Sequence, residues 1–393
     1  MLYATEKRMS ENERFRELPL AEVRRIVTRF EDRLNEEQGR AAPSRKLVHD
    51  AIHHNGAPRC PVRMKRLSTD IILRYGDALS DLFSEFPDDL VMTPAYDFSI
   101  GYQPKDRAPR IDPLEVMTKS GTWVDEWGVR WGHSADGVGA TPVDCPLKDW
   151  GQLDDFLARM PDPAAPGRLD AAAPSFAAHG VSRYCGGFIH LALFERLHCL
   201  RGMENIFLDL STNEKEVMRL RDAIVAFDLE LIRGWARIGA QSLFLGDDWG
   251  TQASLMVSLD MWRAFFADSY RTIFGEVHRN GMDVLFHSCG NIMGIIPDLI
   301  ELGVDVIDPM QPGAMDPREI ARRFGGKVAF CGGIDDQRLS SQTPAQIKAE
   351  VARLIETLGT PFGNSLIVAP GNIMTPEIPL ENLRAVFEAC HGQ

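Results

Sequence analysis

Two residues that can bind a metal ion, His287 and Cys289, lie two positions apart at the end of the apolar run 282–286. Side chains of a β-strand alternate between its two faces, so both would point the same way from one strand end. Zinc binds such mixed nitrogen and sulfur ligands, and a catalytic zinc site has three protein ligands and one open position. The H-x-C spacing is a weak signal by itself, because histidines and free cysteines also occupy protein cores. The surrounding sequence therefore has to distinguish a metal site from an ordinary core.

Asp247 and Asp248 follow the apolar stretch 241–246, and both are candidate catalytic residues. One carboxyl group could act as acid or base while the other orients it. The competing interpretation is that an aspartate here caps the helix that follows, a position where aspartate is favoured. The sequence leaves both interpretations open.

Four further residues end other strand-like stretches. Gln311, Asp335 and Asn372 are candidate substrate-binding residues, and a hydrogen-bonded bridge between loops is the alternative for Gln311. Cys331 is a candidate third metal ligand, although a core cysteine fits the same position.

The stretches that carry these residues alternate with helical patterns along the chain. Strands separated by helices of about 10–15 residues indicate parallel βα units. A (β/α)8 barrel places its active site at the carboxyl ends of its strands, where these polar residues lie. The alternative, a doubly wound sheet, usually carries a glycine-rich phosphate loop after its first strand, and the sequence has none there. The predicted strands are residues 61–64, 89–94, 187–194, 241–246, 282–286, 304–311, 327–335 and 365–372.

The predicted fold is a single α/β (β/α)8 TIM barrel over residues 56–393, preceded by an N-terminal helical extension at residues 1–55. The chain has 393 residues, and a typical barrel needs roughly 250, which leaves room for an extension and an insertion. Residues 21–30 show apolar side chains at helical spacing. Residues 121–132 alternate large and polar side chains around a glycine, which predicts a β-hairpin over one end of the barrel.

The composition excludes several classes of function. A net charge of -13 argues against a broad nucleic-acid surface. No run of 18 or more apolar residues predicts a membrane span, and the N-terminus lacks a signal-peptide pattern. Seven scattered cysteines without disulfide-like spacing fit a reducing compartment. We therefore expect a cytoplasmic enzyme with no nucleic-acid or membrane partner, and a homodimer is a further expectation.

Several segments together resemble the uroporphyrinogen decarboxylase superfamily, most strongly over residues 235–390. The resemblance implies a (β/α)8 barrel and one of two chemistries. The first is cofactor-free decarboxylation of a porphyrinogen. The second is zinc-dependent methyl transfer between corrinoid proteins and small thiols or methylated substrates, and the H-x-C pair is what resembles this second group. The segments are 286–292 (FHSCGNI), 299–305 (LIELGVD), 309–311 (PMQ), 332–335 (GGID) and 379–382 (PLEN).

The sequence departs from both groups at identifiable positions. The decarboxylases carry an R-Q-A-G-R signature that handles substrate carboxylates, and residues 61–68 read PVRMKRLS instead. The methyltransferases place a second cysteine after Pro-Gly on the last strand, where this chain has Asn372. An amide is a poor zinc ligand, so a different third ligand, another metal or no metal would have to follow.

The preferred interpretation is a metal-dependent, corrinoid-linked methyltransferase of the demethylase type. It would use His287, Cys289 and Cys331 as ligands, zinc as the metal, a corrinoid carried by a partner protein, and a small O-methylated substrate. Losing a thiolate at position 372 makes the metal a stronger Lewis acid, which favours an oxygen leaving group. Two alternatives remain: a metal-free, decarboxylase-like lyase with a basic pocket, and a ligand-binding barrel without catalysis. The basic pocket would consist of Arg63, Lys65 and Arg66.

Overall fold

Ten strands form two sheets in the computed structural model, which describes residues 18–93, 102–103, 112–133 and 140–392. Seven of the strands form one parallel sheet in the order β1-β5-β6-β7-β8-β9-β10, and β2, β3 and β4 form a separate antiparallel sheet. The strands are Leu90–Met92 (β1), Gly121–Val124 (β2), Arg130–His133 (β3), Ala140–Asp144 (β4), Tyr184–Ile189 (β5), Ser242–Gly246 (β6), Asp283–His287 (β7), Val306–Met310 (β8), Ala329–Ile334 (β9) and Leu366–Pro370 (β10).

Helices separate consecutive strands of the parallel sheet from β5 onward, as the alternating pattern predicted. The α-helices are Leu20–Arg40, Arg45–Ile52, Thr69–Tyr75, Asp77–Glu85, Pro113–Thr118, Leu153–Leu157, Ala173–His179, Leu193–Arg201, Met203–Thr212, Glu214–Arg237, Leu259–Trp262, Asp268–Arg279, Ile296–Leu302, Pro317–Phe324, Pro344–Leu354 and Leu380–His391.

The helix ends follow from local sequence. Thr343 and Gln346 form a capping box at the start of Pro344–Leu354, with proline at the first helical position. Asp316 caps Pro317–Phe324, because its carboxylate accepts a 2.9 Å hydrogen bond from Arg318 N. Ile296–Leu302 ends at Gly303, whose φ of 100° is the left-handed conformation that glycine adopts without strain.

Apolar side chains from the strands pack with the helix Arg45–Ile52 in one buried cluster. The strand members include Leu285, Val306 and Ile367, and the helix contributes Val48 and Ile52. The helices that flank the sheet pack against the other face of the strands in a second, larger cluster. The parallel sheet is thus covered on both faces, as an all-parallel sheet requires.

Residues 61–64 hydrogen bond at both edges of the parallel sheet. Val62 forms a parallel bridge with Val368 of β10, and Arg63 N donates to Val368 O at 2.9 Å. The Val62 carbonyl accepts a 2.8 Å hydrogen bond from Asp89 N, next to β1. The fold is therefore mixed α/β, with a curled parallel sheet of half-barrel form.

The hairpin predicted at residues 121–132 is present as β2 and β3, and β4 adds a third strand that the sequence did not predict. The loop between β2 and β3 packs on the helix Glu214–Arg237 and on the turn that contains Arg168. Trp127 contacts Phe227 with ring centroids 4.7 Å apart, and Glu126 forms two 2.7 Å hydrogen bonds with Arg168. These contacts attach the small sheet to the helix Glu214–Arg237 and to the turn that contains Arg168.

The amphipathic pattern at residues 21–30 lies within the helix Leu20–Arg40, which buries Val23, Phe30 and Leu34. Residues 1–17 of the predicted extension lie outside the described residues. Within the described ranges, no helix combines the length and apolarity needed to cross a membrane.

Candidate active site

Three potential metal ligands meet at the carboxyl ends of β6 and β7. His287 Nε2 lies 3.5 Å from Cys289 Sγ and 3.7 Å from Asp248 Oδ1. One ligand atom from each residue lies within 4.8 Å of the others, and all three side chains are partly buried. Cys289 N also donates to Asp248 Oδ1 at 2.7 Å, which fixes the carboxylate beside the H-x-C pair.

Strand alternation explains why Asp248 reaches this group. Gly246 pairs with His287 across the two strands, and Asp248 and Cys289 each lie two residues further on. Both therefore keep the same side of the sheet as His287. Asp247 falls on the opposite side.

Asp247 caps the helix Leu193–Arg201 from that opposite side. Its carboxylate accepts hydrogen bonds from Phe194 N at 3.0 Å and Glu195 N at 2.6 Å, and from the Tyr270 hydroxyl at 2.5 Å. Complete burial raises the pKa of Asp247 to about 7, despite these donors. Of the two predicted acids, the structure thus brings only Asp248 to the H-x-C pair.

Asp308 orients His287 by contacting its Nδ1 nitrogen. Asp308 Oδ1 lies 2.6 Å from His287 Nδ1, and this carboxylate is 0% exposed. A hydrogen bond at Nδ1 leaves Nε2 as the nitrogen that faces Cys289 and Asp248, the arrangement typical of metal-binding histidines. Burial lowers the pKa of His287, but the bonds to Asp308 and Cys289 outweigh it and raise the pKa to about 10.

Two buried arginines hold Asp308 on its other oxygen. Arg63 Nη1 lies 3.3 Å from Asp308 Oδ2, and Arg66 forms an ion pair with the same oxygen. Burial works to raise the pKa of Asp308, but Arg66, His287 and Arg63 together hold it well below its usual range. Asp308 is therefore an anion at neutral pH, and it balances part of the positive charge of Arg63, Arg66 and His287.

Aromatic rings form the wall next to His287. The Phe244 ring centroid lies 4.9 Å from that of His287 and 4.8 Å from that of Phe188. The Arg63 guanidinium lies 5.7 Å from the Phe244 ring. Burial, together with the charge of His287, lowers the pKa of His190 to about 4, which keeps that imidazole neutral.

The remaining predicted site residues lie in different surroundings. Gln311 Oε1 accepts a 3.1 Å hydrogen bond from Gly290 N and so bridges two strand-end loops. Cys331 is buried with its Sγ 3.9 Å from Arg66 Nη2, and burial raises the pKa of its thiol to about 12. It does not belong to the three-residue group of Asp248, His287 and Cys289.

Asp335 and Asn372 end their strands without reaching that group. Asp335 lines a small cleft between β9 and the helix Pro344–Leu354, together with Gln342 and Glu350. The positive φ angles of Gly332 and Gly333 interrupt the strand alternation just before it. Asn372 is exposed, and its side-chain oxygen accepts a 2.8 Å hydrogen bond from Ile373 N.

Sequence reasoning missed Asp308, His190 and the two phenylalanines. A signal for each was present: Asp308 is an acid inside the apolar strand Val306–Met310. Phe188 and His190 lie two residues apart at the end of β5, and Phe244 and Asp248 lie four residues apart at the end of β6. Both spacings fit the two-residue period that marks one face of a strand.

The donor set of Asp248, His287 and Cys289 fits a zinc-type ion. It combines one oxygen, one nitrogen and one sulfur, the three ligand types that zinc accepts, and leaves a fourth position for a substrate. The buried partner of His287 supplies the second layer of such a site.

Comparison with known proteins relates the chain to one family and one fold. A sequence model described as uroporphyrinogen decarboxylase (URO-D) matches residues 194–393, slightly more than half of the chain. The uroporphyrinogen decarboxylase of Pseudomonas paraeruginosa is 25% identical over 182 residues, which cover 46% of this chain and 50% of that protein. That of Pseudoalteromonas translucida is 27% identical over 173 residues, or 44% and 47% of the two chains. The chain thus spans about half the length of the curated relatives it matches.

A solved structure described as a methyltransferase from Methanosarcina mazei covers far more of the chain. It superposes with a TM-score of 0.64 at 15% identity, covering 90% of this chain and 99% of that one. At this identity the similarity establishes the fold.

Proposed function

The chain belongs to the uroporphyrinogen decarboxylase family, and we propose that it is a metal-dependent methyltransferase of that family. It would move a methyl group between a small O-methylated substrate and a corrinoid carried by a partner protein. The observation that carries the proposal is the group of Asp248, His287 and Cys289, whose ligand atoms lie within 4.8 Å of one another.

Asp248, His287 and Cys289 would hold the metal. This ligand set replaces the set of His287, Cys289 and Cys331 that was expected from the sequence. A bound zinc-type ion would act as a Lewis acid on an oxygen or sulfur atom of the substrate. Cys331 would then serve as a buried neighbour of Arg66, because its thiol is fully buried and its pKa is raised to about 12.

The chain's own residues prepare the site for that ion. Asp308 keeps the Nδ1 proton of His287 in place, so that Nε2, at the carboxyl end of β7, is the nitrogen that would release its proton and bind the ion. Arg63 and Arg66 keep Asp308 ionised. The rings of Phe188 and Phe244 limit water on the inner side, where they would contact the apolar part of a substrate.

The ligand set favours an oxygen leaving group over a thiol acceptor. Asp248 restores the negative charge that Asn372 does not provide, but a carboxylate oxygen is a harder donor than a thiolate. The metal therefore keeps more of its Lewis acidity than it would with two thiolates, which suits polarisation of an ether oxygen. This is the reason for proposing a demethylase and an O-methylated substrate.

We also propose that residues 61–64 take the eighth strand position and complete a (β/α)8 barrel over residues 56–393. The hydrogen bonds from this segment to Val368 and to Asp89, at opposite edges of the sheet, support this arrangement. Of the proposed extension at residues 1–55, the described part contains the helices Leu20–Arg40 and Arg45–Ile52, and Arg45–Ile52 would close the amino-terminal end of the barrel.

A second candidate, a metal-free decarboxylase-like lyase, is favoured by the buried pair Arg63 and Arg66. Such a pair could bind substrate carboxylates, as guanidinium groups do in fork geometry. Both arginines are engaged by Asp308, however, which reduces the charge they offer to a substrate. Lys65, the third member of the predicted basic pocket, instead forms an ion pair with Glu31.

Metal analysis combined with methyl transfer tests the proposal. Protein purified without chelator should hold zinc at Asp248, His287 and Cys289. His287→Ala and Cys289→Ala should each lower the zinc content by about one equivalent and abolish methyl transfer to a corrinoid acceptor. The matched control is Cys390→Ser, a buried thiol on the helix Leu380–His391. Retention of full methyl transfer by both alanine variants, or porphyrinogen decarboxylation without metal, would reject the methyltransferase in favour of the lyase.

A further inference from the structure

A second group of potential metal ligands lies on the helix Leu193–Arg201. Glu195, His198 and Cys199 follow the spacing i, i+3 and i+4, which places them on one side of a helix. One ligand atom from each lies within 4.8 Å of the others. The group shares no residue with Asp248, His287 and Cys289, and its helix is the one that Asp247 caps from the opposite face of β6.

The His198 imidazole is buried, and one of its ring nitrogens lacks a hydrogen bond. The residue is 8% exposed, and its Nε2 has no hydrogen-bond partner among the described residues. Glu195 Oε2 lies 2.9 Å away, close enough for an ion pair but not aligned to accept an N–H hydrogen bond. A buried ring nitrogen without a hydrogen bond is unfavourable, and a cation between the imidazole and the carboxylate would satisfy both.

The third donor selects the kind of cation. Cys199 is 1% exposed and offers a sulfur atom, which favours zinc-type ions over magnesium or calcium. Glu195 is the partly exposed member, with 19% of its side chain accessible, so an ion can reach the group from solvent. The oxygen, nitrogen and sulfur set again leaves a fourth position, which a water molecule can fill.

We propose that Glu195, His198 and Cys199 form a second site for a zinc-type divalent ion. The loop that follows β4 reaches the same part of the helix, where Cys145 Sγ lies 4.0 Å from the His198 carbonyl oxygen. A bound ion would therefore stabilise the helix at the point where the small antiparallel sheet meets it. Because the site does not use the ligands at β6 and β7, it is independent of the proposed function.

The test uses Co²⁺ as the probe and the full chain carrying His287→Ala and Cys289→Ser, which removes the first group. We expect this protein to bind one equivalent of Co²⁺ with a thiolate-to-cobalt charge-transfer band, and Zn²⁺ to displace it. Adding Cys199→Ser should abolish the band, and adding His198→Gln should weaken Co²⁺ binding by at least about 10–100-fold. The matched control is Cys185→Ser, because Cys185 is also 1% exposed but belongs to no metal-binding group among the described residues.

Two results would overturn the proposal. One is the absence of stoichiometric Co²⁺ binding in the double variant while its circular dichroism spectrum stays native. The other is a charge-transfer band that survives Cys199→Ser in folded protein. Should Cys199→Ser fail to fold, the His198→Gln variant decides, since unchanged Co²⁺ affinity in that folded protein rejects the site.

Discussion

Replacing Asp308 with asparagine is the most informative single change, because this residue links the candidate metal site to the buried arginines. The carboxylate accepts from His287 Nδ1 at 2.6 Å and pairs with Arg63 and Arg66, and it is 0% exposed. Asp308→Asn keeps the shape and removes the charge. Loss of the partner that orients a metal-binding histidine weakens metal binding about 10–100-fold, which corresponds to about 1.4–2.7 kcal/mol.

The same change should also destabilise the fold. Removing one member of a buried ion pair costs about 3–5 kcal/mol, because the arginines are left without their anion. The assays are a zinc titration against a chelator of known affinity and urea unfolding of the metal-free protein. The matched control is Asp209→Asn. It breaks the 2.8 Å ion pair between Asp209 and Arg201, and Asp209 does not contact His287. Asp209→Asn should lower stability and leave zinc affinity unchanged, whereas unchanged zinc affinity in folded Asp308→Asn would refute the role assigned to Asp308.

Three further predictions separate structural residues from the site. Asp247→Ala should lower the free energy of unfolding, measured in urea, by about 2 kcal/mol, because Phe194 N and Glu195 N lose their hydrogen-bond acceptor. Zinc affinity should stay unchanged. Loss of zinc binding without loss of stability would show that Asp247 belongs to the site. Ile52→Ala should cost about 2–5 kcal/mol in the same assay through a cavity at the end of the sheet, again without changing zinc affinity. The hydrogen bond to Asp305 raises the pKa of His278 in the folded protein. The stabilising effect of this bond is therefore complete below the unfolded-state pKa of about 6.5 and disappears as the pH rises through the folded-state pKa. The stability difference between the wild type and His278→Gln should therefore be greatest at acidic pH and shrink above neutrality, and a difference that grows with pH would contradict it.

The sequence predicted the parallel βα architecture well because hydrophobic period and helix caps are local properties. Two strand predictions were less accurate: residues 61–64 form only a single bridge, and in place of 187–194 the strand is Tyr184–Ile189, with a helix that already begins at Leu193. That helix begins where it does because Asp247, more than 50 residues later in the chain, caps it. No local pattern could supply that information.

Some features of the candidate site follow from the sequence alone, and others depend on the tertiary structure. The sequence determined that His287 and Cys289 share one face of a strand end, because alternation depends only on spacing. The same alternation assigns Asp248 and Asp247 to opposite faces, although the sequence alone could not show which face holds the site. Only the packed sheet decided that Asp248 completes the group, that Cys331 lies against Arg66, and that Asp335 lines a separate cleft. Distances between different strands depend on sheet register and curvature, which are set by the packing of the whole chain.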